Sequence, residues 1–245
     1  MTESIVSNGI KAVLFDLDGT LRLNLPSGGE VFNEEAARLG LSLSDEDKRR
    51  TARWEHYYFA NSPELIIDQG SFKDEVESFW INFARRRLTA MGCPPMKTAD
   101  YGAVLNEYMR ESYKPAVHVP ADAVVTLTLL KDSGLILGMV SNRQKSYGDE
   151  LEQLGLKDFF EFSLAGGEVS AFKPEPQIFQ KALEKAGTTA EQTVYIGDNY
   201  FADVIGARRA GLRPILYDPE GVFPDADCDV IRSFRELPDL LMNLS

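Results

Sequence analysis

FDLDGTL, residues 15–21, decides how the rest of the chain is read. An apolar run, IKAVLF (10–15), leads into it, and two carboxylates follow at positions 16 and 18. Alternation on an extended strand turns residues two apart to the same side, so Asp16 and Asp18 start out facing one site. Two carboxylates placed together repel unless a cation joins them. The same letters carry a second signal, since Asp18-Gly19 between alternating apolar residues also marks a hairpin. What the other strands end in decides between the two.

Working outward, three more short apolar runs stop at polar groups. LILGMV (135–140) stops at Ser141, TVYIG (193–197) at Asp198, and RPILY (213–217) at Asp218. Helical patterns lie between them and close on glycine: ADAVVTLTLLKDSG on Gly134, QKSYGDELEQLG on Gly155 and PQIFQKALEKAG on Gly187. Glycine just past a helix is a common C-terminal signal. Short apolar strands alternating with helices predict an α/β fold, a Rossmann-like parallel sheet covered by helices on both faces. Between the first strand and the rest the pattern changes. NLPSGGE (24–30) reads as a flexible stretch, and an almost wholly helical segment follows. Ser44 and Asp47 open a helix over 44–60 with a capping box, Ser62-Pro63 opens a short one, and a stripe of Phe72, Val76, Phe79, Trp80 and Phe83 marks another. ARRR at 84–87 reads as a solvated helix face. An insert this long is a subdomain rather than a loop. The expected division is a Rossmann-like core of residues 1–22 and 116–245, with 23–115 as a flap and an inserted α-helical domain.

With 245 residues the chain can bury a sizeable core. A net charge of −12 and a pI near 4.7 argue against nucleic acid or an anionic membrane as partner. An anionic substrate remains possible, because a bound metal and one lysine can reverse the sign locally. Cys93 and Cys228 have no motif spacing and read as reduced thiols. The polar start, MTESIVSNG, lacks the features of a signal peptide, and no apolar run is long enough to span a bilayer, so a cytoplasmic location is expected.

In an open parallel sheet, ligands bind beyond the carboxyl ends of the strands. There the sequence places Asp16 and Asp18, then Ser141 and Asn142, then Asp198 and Asp203, with Lys173 between the last two groups. In isolation each has a plain structural reading: a turn, a helix cap, a surface Lys-Pro, a helix start. Jointly those readings leave unexplained why all fall at one edge of one sheet.

DLDGTL, VSNR, FKPEPQIF and GDNYFAD resemble, in order, the four motifs of the haloacid dehalogenase superfamily of hydrolases. The likeness extends over GGEVSAFKPEPQIF and IGARRAGLRP, and the helical insert looks like that family's cap. The resemblance implies that Asp16 is a nucleophile forming an aspartyl-phosphate. Asp18 would be the acid and then the base, with its carbonyl also on the metal. It further implies Mg²⁺ held by Asp16, Asp18, Asp198 and Asp203, with Asp203 acting through water or as an orienting group. Ser141 and Asn142 would hold phosphoryl oxygens, and Lys173 would neutralise charge on Asp16 and the transferring group. The implied activity is Mg²⁺-dependent hydrolysis of a small phosphorylated metabolite. A phosphomutase (β-phosphoglucomutase-like) on the same scaffold and a non-catalytic phospho-ligand-binding protein stay open. A dehalogenase is disfavoured by the acid at Asp18, and a phosphonatase by the lack of an evident Schiff-base lysine in the insert. Arg22, His56 and Tyr57 are candidates for specificity from flap and insert, although an aromatic stripe such as that of RWEHYYF (53–59) is more often helix core.

Overall fold

β1 (Ala12–Phe15) is four apolar residues, each fully buried, and only a strand covered on both faces tolerates such a run. The computed structural model describes residues 9–244. The polar N-terminal stretch on which the absence of a leader was read lies almost wholly outside them.

Beside β1 lie β4 (Ile136–Ser141) and β6 (Thr193–Gly197), followed outward by β5 (Phe162–Ala165) on one side and by β7 (Arg213–Tyr217) and β8 (Asp229–Ile231) on the other. The order β5-β4-β1-β6-β7-β8 is parallel throughout. Phe15 stands level with Met139 on one neighbour and Ile196 on the other. Strand order reverses at β1, which is where a ligand crevice is expected. β5 and β8 escaped the sequence reading because they are short edge strands without a long apolar run.

Alternation along the strands separates two cores. Val13 and Phe15 join Leu137, Met139, Val194, Ile196 and Ile215 under α6 (Ala121–Asp132), α7 (Gly148–Gln153) and α11 (Leu237–Asn243). Leu14, Val140, Leu164 and Tyr195 face the other way, beneath α9 (Pro176–Ala186) and α10 (Ile205–Arg209). A short helix, α8 (Gly166–Val169), follows β5.

The chain divides into two compact units. One takes the chain up to Leu23 and again from His118; the other runs Asn24–Val117. The division falls within a two-stranded ribbon of β2 (Leu23–Leu25) and β3 (Ala116–His118). β2 pairs with β3 and not with β1, so the hairpin reading of FDLDGTL fails as a strand pairing. Its turn survives: Gly19 N–H donates to the Arg22 carbonyl at 3.0 Å.

The second unit is helical: α1 (Gly28–Arg38), α2 (Asp45–Phe59), α3 (Pro63–Ser71), α4 (Val76–Ala90) and α5 (Pro95–Glu111). α1 corrects the expectation of a flexible stretch. Gly28-Gly29 hid a capping box in which Ser27 and Glu30 satisfy each other's backbone N–H. Phe32, Ala36, Ala84, Leu88 and Leu105 form one apolar cluster, and Tyr58, Leu65 and Phe83 another. The aromatic stripe is only half internal: Phe83 is buried, whereas Val76 is 70% exposed and Phe72 ends α3. Arg87 reverses the solvated reading of ARRR, since it is buried, pairs with Glu55 at 2.9 Å and lies over the Phe32 ring. Among the described residues no helix is long and apolar enough to cross a membrane.

Candidate active site

Asp16 is the first residue past β1, and its N–H still bonds the Ile196 carbonyl at 2.8 Å. That bond fixes the carboxylate at the strand end, where it is almost wholly buried. Across from it Lys173, equally buried, places its ammonium 2.6 Å from Asp16 Oδ1, 2.7 Å from Asp203 Oδ1 and 3.1 Å from the Tyr195 hydroxyl. An ammonium has three protons, and all three are taken. Tyr195 in turn donates to the Val140 carbonyl at 3.1 Å, tying the lysine to β4. The Lys173 backbone is clasped by Asn142, whose Oδ1 accepts from its N–H at 2.6 Å and whose Nδ2 donates to its carbonyl at 2.9 Å. Asn142 thus spends its side chain on Lys173; Ser141, at the end of β4, is buried beside it.

The third strand end is built by close approach. Thr20 donates to Asp198 Oδ1 at 2.9 Å and accepts the Asp198 N–H at 3.0 Å. Gly19 has φ +90°, and a Cβ there would sit 2.4 Å from Asp198 Oδ2, so only glycine fits. Gly197 is constrained likewise, because a Cβ would meet Asp203 Oδ2 at 2.2 Å. Asn199 caps a π-helical turn, Tyr200–Val204, by accepting the N–H groups of Phe201 and Ala202. Such turns are rare and frequent at functional sites. This one swings Asp203 back so that its Oδ2 accepts the Asn199 N–H at 2.9 Å.

Carboxylate oxygens of Asp16, Asp198 and Asp203 lie within 4.8 Å of one another. Burial pushes the Asp16 carboxyl well above the usual carboxylate range; the charge of Lys173 pulls it down, and repulsion from Asp203 and Asp198 adds to the rise. Burial and then the charge of Asp203 raise Asp198 to about 7, against its hydrogen bond from Thr20. Burial also opposes the Lys173 charge, yet Asp16 and Asp203 outweigh it and hold the ammonium well above its ordinary value. Clustered carboxylates that resist ionising together are the donor set a hard divalent cation suits. These residues fit Mg²⁺.

β1 ends at Phe15, so strand alternation no longer governs residues 16–18, and the Asp18 carboxylate stands outside the acidic cluster. It is held by Arg143, Nε to Oδ2 at 2.7 Å and Nη2 to Oδ1 at 2.8 Å. Arg22 bonds Glu150 of α7 at 2.7 Å within the sheet unit. His56 and Tyr57 lie on α2, where the Tyr57 hydroxyl bonds Glu64 at 2.9 Å. Trp54 and Tyr58 of the same stretch pack as core. Sequence reading missed Thr20, Arg143, Glu150 and Tyr195. Thr20 and Arg143 stood inside DLDGTL and VSNR, and Tyr195 inside TVYIG, so position in those strings was the available signal. Glu150 had none.

A family model described as haloacid dehalogenase-like hydrolase matches residues 10–211. A protein of Methanothermobacter thermautotrophicus named glyceraldehyde 3-phosphate phosphatase is 35% identical over 217 residues, covering 86% of this chain and 87% of its own. A solved structure titled HAD phosphatase from Thermococcus onnurineus superposes with a TM-score of 0.55 at 26% identity, covering 95% of this chain and 98% of that one. Another, titled 2-haloacid dehalogenase from Pseudomonas syringae pv. Tomato DC3000, gives 0.54 at 28%, with the same coverage. With the strand-end site and a match over most of the sheet unit both in hand, the chain belongs to the haloacid dehalogenase-like hydrolases.

Proposed function

We propose that this hydrolase is a Mg²⁺-dependent phosphatase that takes a small phosphorylated metabolite through an aspartyl-phosphate on Asp16. The observation that carries the reading is the buried Asp16–Lys173 contact at 2.6 Å inside the acidic cluster. Between dehalogenase and phosphatase, Asp18 favours the latter, because expelling an alkoxide calls for an acid and expelling a halide does not. The phosphatase name of the 35% identical relative supports the same choice.

In this reading the Asp16 carboxylate attacks phosphorus and the ester P–O bond breaks. The leaving oxygen takes a proton from Asp18. Water then attacks phosphorus, giving its proton to Asp18, as the aspartyl bond breaks and phosphate departs. Lys173 offsets charge on Asp16 as the phosphoryl group arrives, and Ser141 hydrogen-bonds its oxygens. Asp16 and Asp198, with the Asp18 carbonyl, would hold the cation, and Asp203 orients Lys173 and the 198–199 turn. Mg²⁺, when bound there, would neutralise charge on the transferring group.

Purified protein should release inorganic phosphate from p-nitrophenyl phosphate, lose that activity in EDTA and regain it with Mg²⁺. Labelled phosphate should be trapped on Asp16 and be absent from Asp16→Asn. Indifference to chelation would overturn the metal assignment, and label on the variant the nucleophile. With sugar phosphates, isomerised product ahead of free phosphate would replace phosphatase by mutase.

A further inference from the structure

Asp218 closes the last of the apolar runs that stop at a polar group, and it takes no part in the chemistry above. It follows β7 and is buried. Its N–H bonds the Ile231 carbonyl at 2.9 Å. Its carboxylate accepts the Val222 N–H on Oδ1 at 2.8 Å and the Phe223 N–H on Oδ2 at 2.9 Å. Both oxygens thereby draw the following loop back onto the strand end. What that loop delivers is the Phe223 ring, also buried. The ring stacks on Tyr200 at 5.4 Å and 23°, and meets Phe201 edge to face at 6.0 Å and 74°. Tyr200 is tied at its far end too, since its hydroxyl donates to Asp227 at 2.7 Å.

Tyr200 and Phe201 open the π-helical turn that ends at Val204. There the Ile205 N–H reaches the Tyr200 carbonyl five positions back, one more than an α-helix uses. Such a turn is rare, and tightening it to α-helical spacing would swing the residues on one side of it by about 100°. Asp203 is the fourth residue of the turn, and its Oδ1 holds the Lys173 ammonium at 2.7 Å.

We infer that Asp218 and Phe223 are positioning residues: the loop they brace clamps the two aromatic residues that open the turn, and so keeps Asp203 aimed at Lys173. The inference rests on the phosphatase reading above, in which Lys173 sits against Asp16 as the phosphoryl group arrives. Misplacing a positioned group by about 1 Å can cost about a hundredfold in rate. The loss belongs to the chemical step and therefore falls on kcat, with KM little changed.

The test measures kcat and KM on p-nitrophenyl phosphate in Mg²⁺, per folded molecule as counted by circular dichroism. Phe223→Ala should lower kcat about ten- to a hundredfold and leave KM within about twofold. Asp218→Asn keeps one acceptor of the two and should lower kcat less. Phe223→Tyr restores the ring and should stay within about threefold of the wild type. As a control, Leu130→Ala opens a cavity in the last turn of α6, just before β4, and should leave kcat per folded molecule unchanged. Where the alanine variant does not fold, Phe223→Leu, which keeps bulk without the ring, is read by the same criteria. An unchanged kcat in Phe223→Ala, or an equal loss in Leu130→Ala, would make the brace merely structural. A raised KM with kcat intact would make the loop a substrate contact, and a Phe223→Tyr as slow as Phe223→Ala would deny the ring its part. Any of these overturns the inference. A wild-type protein inactive on the aryl phosphate would instead overturn the phosphatase reading.

Discussion

Buried charge is arranged in two contrasting ways in the two units. In the helical unit it is matched one for one. Asp68 accepts from Arg86 at 2.8 Å and from the Tyr58 hydroxyl at 2.9 Å, and Arg87 pairs with Glu55 at 2.9 Å. At the strand ends, the carboxylates of Asp16, Asp198 and Asp203 outnumber the one ammonium, Lys173, that they surround. Matched burial is what a fold needs, because a lone buried charge is costly. Surplus carboxylate serves no packing purpose and marks a place waiting for positive charge. Charge balance therefore separates structural ion pairs from chemical ones more sharply than burial does.

Breaking the contrast at its active end gives the largest effect. Asp16→Asn should lower turnover by more than about 10⁴-fold, as loss of a nucleophile does, while thermal unfolding shows an intact fold. A variant that keeps a tenth of wild-type activity would refute the assignment. At the structural end the cost moves from turnover to stability. Arg87→Ala strands Glu55 and should destabilise the helical unit by about 3–5 kcal/mol, whereas replacing both partners, Arg87→Met with Glu55→Leu, should cost far less. Denaturant unfolding of the two variants decides it, and equal losses would deny that Arg87 is a structural pair.

A smaller effect sharpens the point about surplus charge. Asp198→Asn keeps an acceptor for Thr20 but removes one repelling carboxylate. In EDTA its melting temperature should equal or exceed that of the wild type, and Mg²⁺ should raise the wild-type midpoint without raising the variant's. Each kcal/mol corresponds to about 2–4 °C in a domain of this size. A variant that melts lower in EDTA would make Asp198 structural. The smallest effect lies on the surface of the helical unit. Hydrogen bonds from the Ser44 side chain and backbone, then from Arg50, hold the Asp47 carboxyl down at about 2. Its folded value is depressed, so its contribution is complete above about pH 4 and is lost as pH falls through about 2. Asp47→Asn should accordingly show a slightly shallower acid loss of stability between pH 4 and 2. An identical slope would mean the cap does not titrate.

The central sheet was legible because fully buried parallel strands are unbroken apolar runs and each stopped at a polar residue. The edge strands β5 and β8 were not, since three or four half-covered residues carry too little pattern. Gly28-Gly29 looked like slack chain because glycine is a poor helix former, and the tertiary contacts of Phe32 and Ala36 override that preference. Lys173, Asp16, Asp198 and Asp203 were placed correctly as neighbours because motif order maps directly onto strand ends. The direction of Asp18 was not legible from alternation, because the strand stops at Phe15, three residues before it. Arg87 was misread for want of Glu55, a partner 32 positions away that no local pattern connects.

The pairing of β2 with β3 has an evolutionary consequence. Paired strands run about 5 Å apart, so the chain departs at Leu25 and returns at Ala116 through one narrow doorway. Everything between is an excursion from the six-stranded sheet, in which β1 pairs directly with β4 although the whole insert separates them in sequence. Any helical module with closely spaced termini meets the same junction condition. Exchange of the insert, by recombination or in the laboratory, is therefore expected to leave the pairing of the six-stranded sheet in place.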